Sequence, residues 1–140
     1  MKYDMICVEG IDKTCKDLII QVVCKLTNFK YVFVSRGLIS MLVYAKKFNR
    51  EYQYNEESVK HIAYVYISTE KLDWEIRCKM SREERIDFEN DNKLFDETIE
   101  ELKQQYGDEF KLAKFNISHE SVYDIAVKIA EYMKQINDEV

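Results

Sequence analysis

The sequence has no proline and only three glycines, Gly10, Gly37 and Gly107, in 140 residues. With so few chain-breaking residues, each glycine should stand where the backbone needs it. Gly10 and Gly37 each follow a stretch that reads as a strand, and Gly107 falls where a long helix should end. The four cysteines, Cys7, Cys15, Cys24 and Cys78, include no C-x-x-C pair and no accompanying histidine cluster. That pattern argues against a zinc framework and reads as free thiols of a reducing compartment, with Cys7 and Cys24 on apolar stretches that belong in a core. No apolar run has the length needed to span a bilayer. The opening stretch MKYDMICVEG carries an early Asp and runs into a strand, so a signal peptide is not expected and a cytoplasmic location is. An excess of positive charge is also missing. The formal net charge of −5 argues against non-specific binding to nucleic acid, and no nucleic-acid partner is expected, although a local basic patch is compatible with it.

What is present is a globular composition, 46% hydrophobic and 34% charged, which excludes a disordered chain. A chain of 140 residues fits one domain, expected over 1–140, and can bury a core without disulfides or metals. No internal repeat, low-complexity segment or linker divides it.

Strand-like and helix-like patterns alternate along the chain. Short apolar or β-branched runs predict strands over 2–9, 31–35, 61–68 and 110–117. Helical spacing predicts a helix over 16–27 with Leu18, Ile19, Val22, Val23 and Leu26 on one face, and further helices over 39–48, from 69 through Trp74 and Ile76, over 86–106 and over 119–136. Residues 49–58 are polar and tyrosine-rich and read as a loop or short helix. Ser118 is the expected N-cap of the last helix, with Ser121 in its first turn. The alternation implies an α/β fold, a mostly parallel sheet of about four strands flanked by helices. Ligands bind such sheets at the carboxyl ends of the strands, here Glu9/Gly10, Ser35/Arg36, Ser68/Thr69 and Asn116/Ile117.

The first of those ends carries an altered motif. VEGIDKTCKDLI, residues 8–19, follows the phosphate-binding pattern G-x-x-x-x-G-K-[ST] with two departures. Gly10 and Lys16 stand at the first glycine and the lysine, but Cys15 occupies the second glycine position and Asp17 the Ser/Thr position. A Cβ on Cys15 costs about 1–2 kcal/mol if that residue needs a positive φ. Asp17 reads two ways, as a first-turn carboxylate favoured by the helix dipole or as a ligand for Mg²⁺. Lys16 is the strongest functional candidate by position, since a cation in the first turn is otherwise mildly unfavourable.

In order along the chain, CVEGIDKTCKDLI, VSRGLISMLVYAKKF, the stretch from YVYISTEKLDWEIRCKMSREER to the helix that follows it, and FKLAKFNISHESVYDIAVKIAEYM resemble thymidylate kinase and the related viral deoxynucleoside monophosphate kinases. The resemblance covers almost the whole chain, in a short form that lacks a strand and helix between the first helix and the SRG segment, as short viral and bacteriophage versions do. It implies a nucleoside monophosphate kinase-like fold that uses ATP and Mg²⁺ to phosphorylate a deoxynucleoside monophosphate such as dTMP. The loop 10–17 (Gly10, Asp12, Lys13, Thr14, Cys15, Lys16, Asp17) would hold the donor, Asp17 would touch the metal, and Arg36 would hold the acceptor phosphate. Ser35 replaces the family acid before that arginine. Asp12 matches a family acid that contacts the substrate side or orders the loop; Lys13 and Thr14 read as ordinary loop residues. The run RCKMSREER, with Arg77, Lys79, Arg82 and Arg85, matches a basic lid, and Asp87, Phe88 and Glu89 the acidic-aromatic stretch beyond it. Tyr44, Phe48 and Tyr64 are candidates for stacking on a base or for the core. The resemblance alone also implies a homodimer. The doubled change at Cys15 and Asp17 keeps a second reading open, a catalytically degenerate viral protein that binds a nucleotide or a host protein.

Overall fold

The computed structural model describes residues 2–79 and 87–138. Strands β1 (Met5–Glu9), β2 (Val32–Ser35), β3 (Ile62–Ser68) and β4 (Leu112–Asn116) form one sheet in the order β2-β1-β3-β4, parallel throughout. Helices α1 (Lys16–Leu26), α2 (Leu38–Lys47), the short α3 (Glu57–Lys60), α4 (Lys71–Lys79), α5 (Phe88–Tyr106) and α6 (Val122–Ile136) connect and cover the strands. The expected α/β class and strand count are therefore met, and 49–58 is mostly loop.

The period-two alternation of the central strands divides the core. Ile6, Val8, Ala63, Val65 and Ile67 point to one face, where Ile19 and Val23 of α1 and Ile125, Ile129 and Met133 of α6 cover them. Cys7, Tyr64 and Tyr66 point to the other, against Ile39 and Val43 of α2 and Phe95, Ile99 and Leu102 of α5. Strands β1 and β3 are buried on both faces, which is why they read as continuous apolar runs.

Three local expectations are corrected. The apolar stripe of α1 is narrower than its composition suggests: Ile19 and Val23 are buried, whereas Leu18 lies off their stripe and is exposed, and Leu26 falls on the stripe but is exposed at the last residue of the helix. Cys24 is half-buried rather than core. The last helix starts at Val122 with Ser121 as its N-cap, accepting from the Asp124 N–H at 3.1 Å. Ser118 is engaged elsewhere, accepting from the Glu70 N–H at 2.9 Å, while the N–H groups of His119 and Glu120 close a turn on the Asn116 carbonyl. Gly107 ends α5 with φ 56°, as its sequence position predicts.

The feature that fixes the site is the end of β1. Glu9 is fully buried, and its carboxylate accepts hydrogen bonds from the backbone N–H groups of Gly37 (3.0 Å), Ile39 (2.8 Å) and Ser40 (3.2 Å) and from the Ser40 hydroxyl (2.5 Å). Gly37, the N-cap of α2, has no side chain with which to cap the helix, so Glu9 does this across the sheet. A Cβ on Gly37 would lie 2.4 Å from the Cys7 sulfur, so a side chain there would force the two segments apart. Glu9→Gln keeps the shape but turns an amide NH₂ towards these donors. It is expected to lower the unfolding free energy by about 2 kcal/mol in chemical denaturation, the cost of leaving buried donors unpaired.

Candidate functional site

The loop between β1 and α1 holds backbone conformations that glycine favours, at Gly10 and at two residues that are not glycine. Gly10 has φ 144°, and a Cβ there would sit 2.4 Å from the Ile67 carbonyl oxygen, so only glycine fits. Cys15 has φ 61° and ψ 25°, the left-handed conformation that the missing glycine would have supplied. Lys13 (φ 68°) and Arg36 (φ 67°) are left-handed as well. Three non-glycine residues held in this region around one cleft are strain of the kind that collects at functional sites.

The carbonyls of the loop are held from outside. The Trp74 indole N–H donates to the Asp12 carbonyl at 3.1 Å, and the Arg77 Nε–H donates to the Lys13 carbonyl. Arg77 also donates from Nη2 to the Thr69 hydroxyl. In a planar trans peptide the C=O and the following N–H point in opposite directions. With both carbonyls turned to α4, the N–H groups of Lys13 and Thr14 point away from it. Cys15 supplies no side-chain cap, so the first-turn N–H groups of α1 keep their donor capacity. Together these make a concave set of donors at the positive end of a helix, a ready site for an anion.

The charged groups sit around this cradle. Lys16 is 7% exposed; its ammonium donates to the Ile11 carbonyl at 2.5 Å and to the Thr14 hydroxyl at 3.1 Å. Burial pulls its pKa down from the usual lysine value to about 8, against the opposing pull of Glu9 and Asp17. Thr14, read as an ordinary loop residue, is in fact fully buried, and its hydroxyl donates to the Ile11 carbonyl at 2.9 Å. Across the cleft Arg36 forms an ion pair with Asp12 and lies over the Tyr44 ring, 5.8 Å from its centroid. The cleft measures about 510 Å³ and is lined by Lys13, Lys16, Asp17, Ser35 and Arg36 among others. Among the described residues, no group of three or more His, Cys, Asp or Glu side chains could hold a metal ion. Asp17 is exposed on the first turn of α1 and Asp12 is taken by Arg36, so Asp17 is the carboxylate available to a Mg²⁺ that also binds phosphates.

Most of the predicted site residues therefore converge: Gly10, Asp12, Lys13, Thr14, Cys15, Lys16, Asp17 and Arg36 share the cleft or its wall, and Arg77 braces it from behind. Tyr64 is fully buried and belongs to the core. Asp87 is the N-cap of α5, accepting from the Asn90 N–H at 3.1 Å. Arg82 and Arg85 lie outside the described residues. Sequence reasoning missed Glu9 and Trp74. A carboxylate ending a buried strand signals a capped helix nearby; the indole offers no such signal. A second depression of about 680 Å³, between α5 and β4, is larger; Phe88 lines it, as do Ser68, Thr69 and Asn116 at two of the strand ends expected to bind ligands.

No family model and no curated protein matches the sequence. Among solved structures, the chain is similar to YorR from Bacillus subtilis, crystallised in complex with phosphorylated GDP, with a TM-score of 0.73 and 18% identity over 97% of this chain and 99% of that one. At that identity the two share a fold.

Because the Lys16 pKa is lowered in the folded state, the unfolded chain binds more protons between about pH 8 and the ordinary lysine value of 10.5. This group's destabilising contribution is thus complete below pH 8 and is relieved as pH rises through that window. Lys16→Met is expected to unfold at higher denaturant concentration than the parent at pH 7, by about 1 kcal/mol, with the difference shrinking towards pH 10.

Proposed function

We propose that this chain is a nucleotide-binding protein of the nucleoside monophosphate kinase type, with the donor phosphates on the loop 10–17 and the acceptor phosphate at Arg36. The observation that carries the reading is Cys15 in the left-handed conformation at the helix N-terminus. It supports the reading because a cysteine stands in the motif's glycine position yet has the left-handed backbone that a glycine there would adopt.

In this reading the backbone N–H groups of the loop and of the first turn of α1 hold the β- and γ-phosphate oxygens. Lys16 swings from the Ile11 carbonyl to neutralise them, and Asp17 helps hold Mg²⁺. Bound MgATP would supply the transferable phosphoryl group. The chain's own part is positioning and charge neutralisation, which is most of what phosphoryl transfer asks of a protein. Arg36 orients the acceptor, and its pair with Asp12 opens when a phosphate competes for the guanidinium. The resemblance to thymidylate kinases makes dTMP the first acceptor to try, and the phosphorylated GDP in YorR makes guanine nucleotides the second. One observation favours the alternative of binding without catalysis, by a degenerate kinase-fold protein: the ammonium of Lys16 is buried on its own loop.

Calorimetric titration with ATP, with and without Mg²⁺, tests the reading. We expect micromolar binding that needs Mg²⁺ and is weakened about 10- to 100-fold by Lys16→Ala, the loss of one charge-assisted contact. Affinity should hold steady below about pH 8 and fall above it, because the free protein must then recapture a proton on Lys16. No binding by a folded protein would remove the kinase reading and the nucleotide reading together. Binding without phosphorylation of any nucleoside monophosphate would select the degenerate one.

A further inference from the structure

Beyond the cleft, the outer face of α2 and the turn after it carry an uninterrupted row of cations and rings. Arg36 lies over Tyr44. Tyr44 and Phe48, one helical turn apart, have ring centroids 6.5 Å apart and planes 19° from parallel. Arg50 lies over Phe48, 5.7 Å from its centroid. Phe48 is 56% exposed, and Arg50 is exposed. Nearby Lys46 is turned to α5, where it meets Thr98 and Glu101, and Lys47 meets Asp91. Lys47 belongs both to the contacts with α5 and to the ring row, since its ammonium also lies over the Phe48 ring, 5.9 Å from the centroid, while Lys46 serves the docking on α5.

An exposed phenylalanine between cationic side chains is costly to leave in water and poorly suited to a purely apolar partner. Aromatic faces interleaved with arginines are what a single-stranded nucleic acid requires: the rings stack on bases of any identity and the cations follow the phosphates. The row is also continuous with the cleft, since Arg36 belongs to both. The chain's net charge of −5 means that such binding would be confined to this face rather than spread over the surface.

We propose that the ligand accepted at Arg36 extends beyond one nucleotide, and that this face binds a short single-stranded oligonucleotide with its terminal phosphate at Arg36 and its bases on Tyr44 and Phe48. The proposal rests on the phosphate-binding reading of the cleft. On it, Arg50 meets a phosphate further along the strand.

The test is fluorescence anisotropy with a 5′-phosphorylated, 3′-labelled tetranucleotide of DNA, set beside calorimetry with ATP and with dTMP. The oligonucleotide should bind at least about tenfold more tightly than dTMP, with an affinity that falls as salt rises. Phe48→Ala should weaken the oligonucleotide about tenfold and leave ATP binding unchanged, and Phe48→Trp should restore it. Phe48 is exposed, so circular dichroism of the variants should match the parent. Oligonucleotide binding no tighter than dTMP, or unaffected by Phe48→Ala, would overturn the proposal while ATP binding keeps the cleft reading intact. Failure of ATP, dTMP and oligonucleotide alike would overturn both.

Discussion

The buried carboxylate of Glu9 is the interaction on which the site depends. A charge with no exposed surface is tolerated only where its oxygens are fully hydrogen-bonded. Here three backbone N–H groups and a hydroxyl meet that demand, all from the segment that begins α2. The donors lie beyond β2, so the bonds lock the end of β1 to the end of its neighbour. Gly10, which opens the loop, is one residue from Glu9. Arg36, the opposite wall of the cleft, is one residue from the first donor. Both walls are thus referred to the same carboxylate, and the cleft width follows from it.

The second constraint comes from α4. Trp74 and Arg77 hold two successive loop carbonyls, which sets the direction of the peptide groups between 12 and 14. The sequence places Arg77 at the start of a basic lid, where its natural reading is contact with transferring phosphates. In the structure its guanidinium binds the Lys13 carbonyl and the Thr69 hydroxyl.

The parallel sheet was legible because β1 and β3 are apolar throughout and the helices carry clear stripes; the strand order β2-β1-β3-β4 comes from the structure. Gly10 and Lys16 were legible because spacing alone marks a loop that turns into a helix. Less could be read where a residue's partner is distant in sequence. Glu9 is satisfied by residues 28 to 31 positions away, and Trp74 meets Asp12 across 62. Thr14 was misread because its burial depends on how the loop closes over itself, which composition does not encode. The cap of α6 was misplaced among three nearby hydrogen-bonding side chains, Ser118, His119 and Ser121. Which of them caps is decided by the turn on Asn116 and by the claim of Glu70 on Ser118.

The loop's present arrangement also bears on whether its altered sequence can still receive a phosphate. Lys16 must leave the Ile11 carbonyl to do so, and leaving a buried carbonyl without a donor would cost about 1–3 kcal/mol. The Thr14 hydroxyl already donates to the same oxygen at 2.9 Å, so that carbonyl keeps a partner when the ammonium moves out. Cys15 is already left-handed, so its strain is carried by the folded protein before any ligand arrives and adds nothing to the cost of binding. Desolvation of Lys16 is likewise a cost of the free state, which an incoming phosphate relieves by giving the ammonium an anion in place of a carbonyl. The Cys15 substitution therefore weighs on stability more than on affinity. The energetic obstacle that remains at the cleft is Asp17, whose charge opposes a phosphate until a cation lies between them.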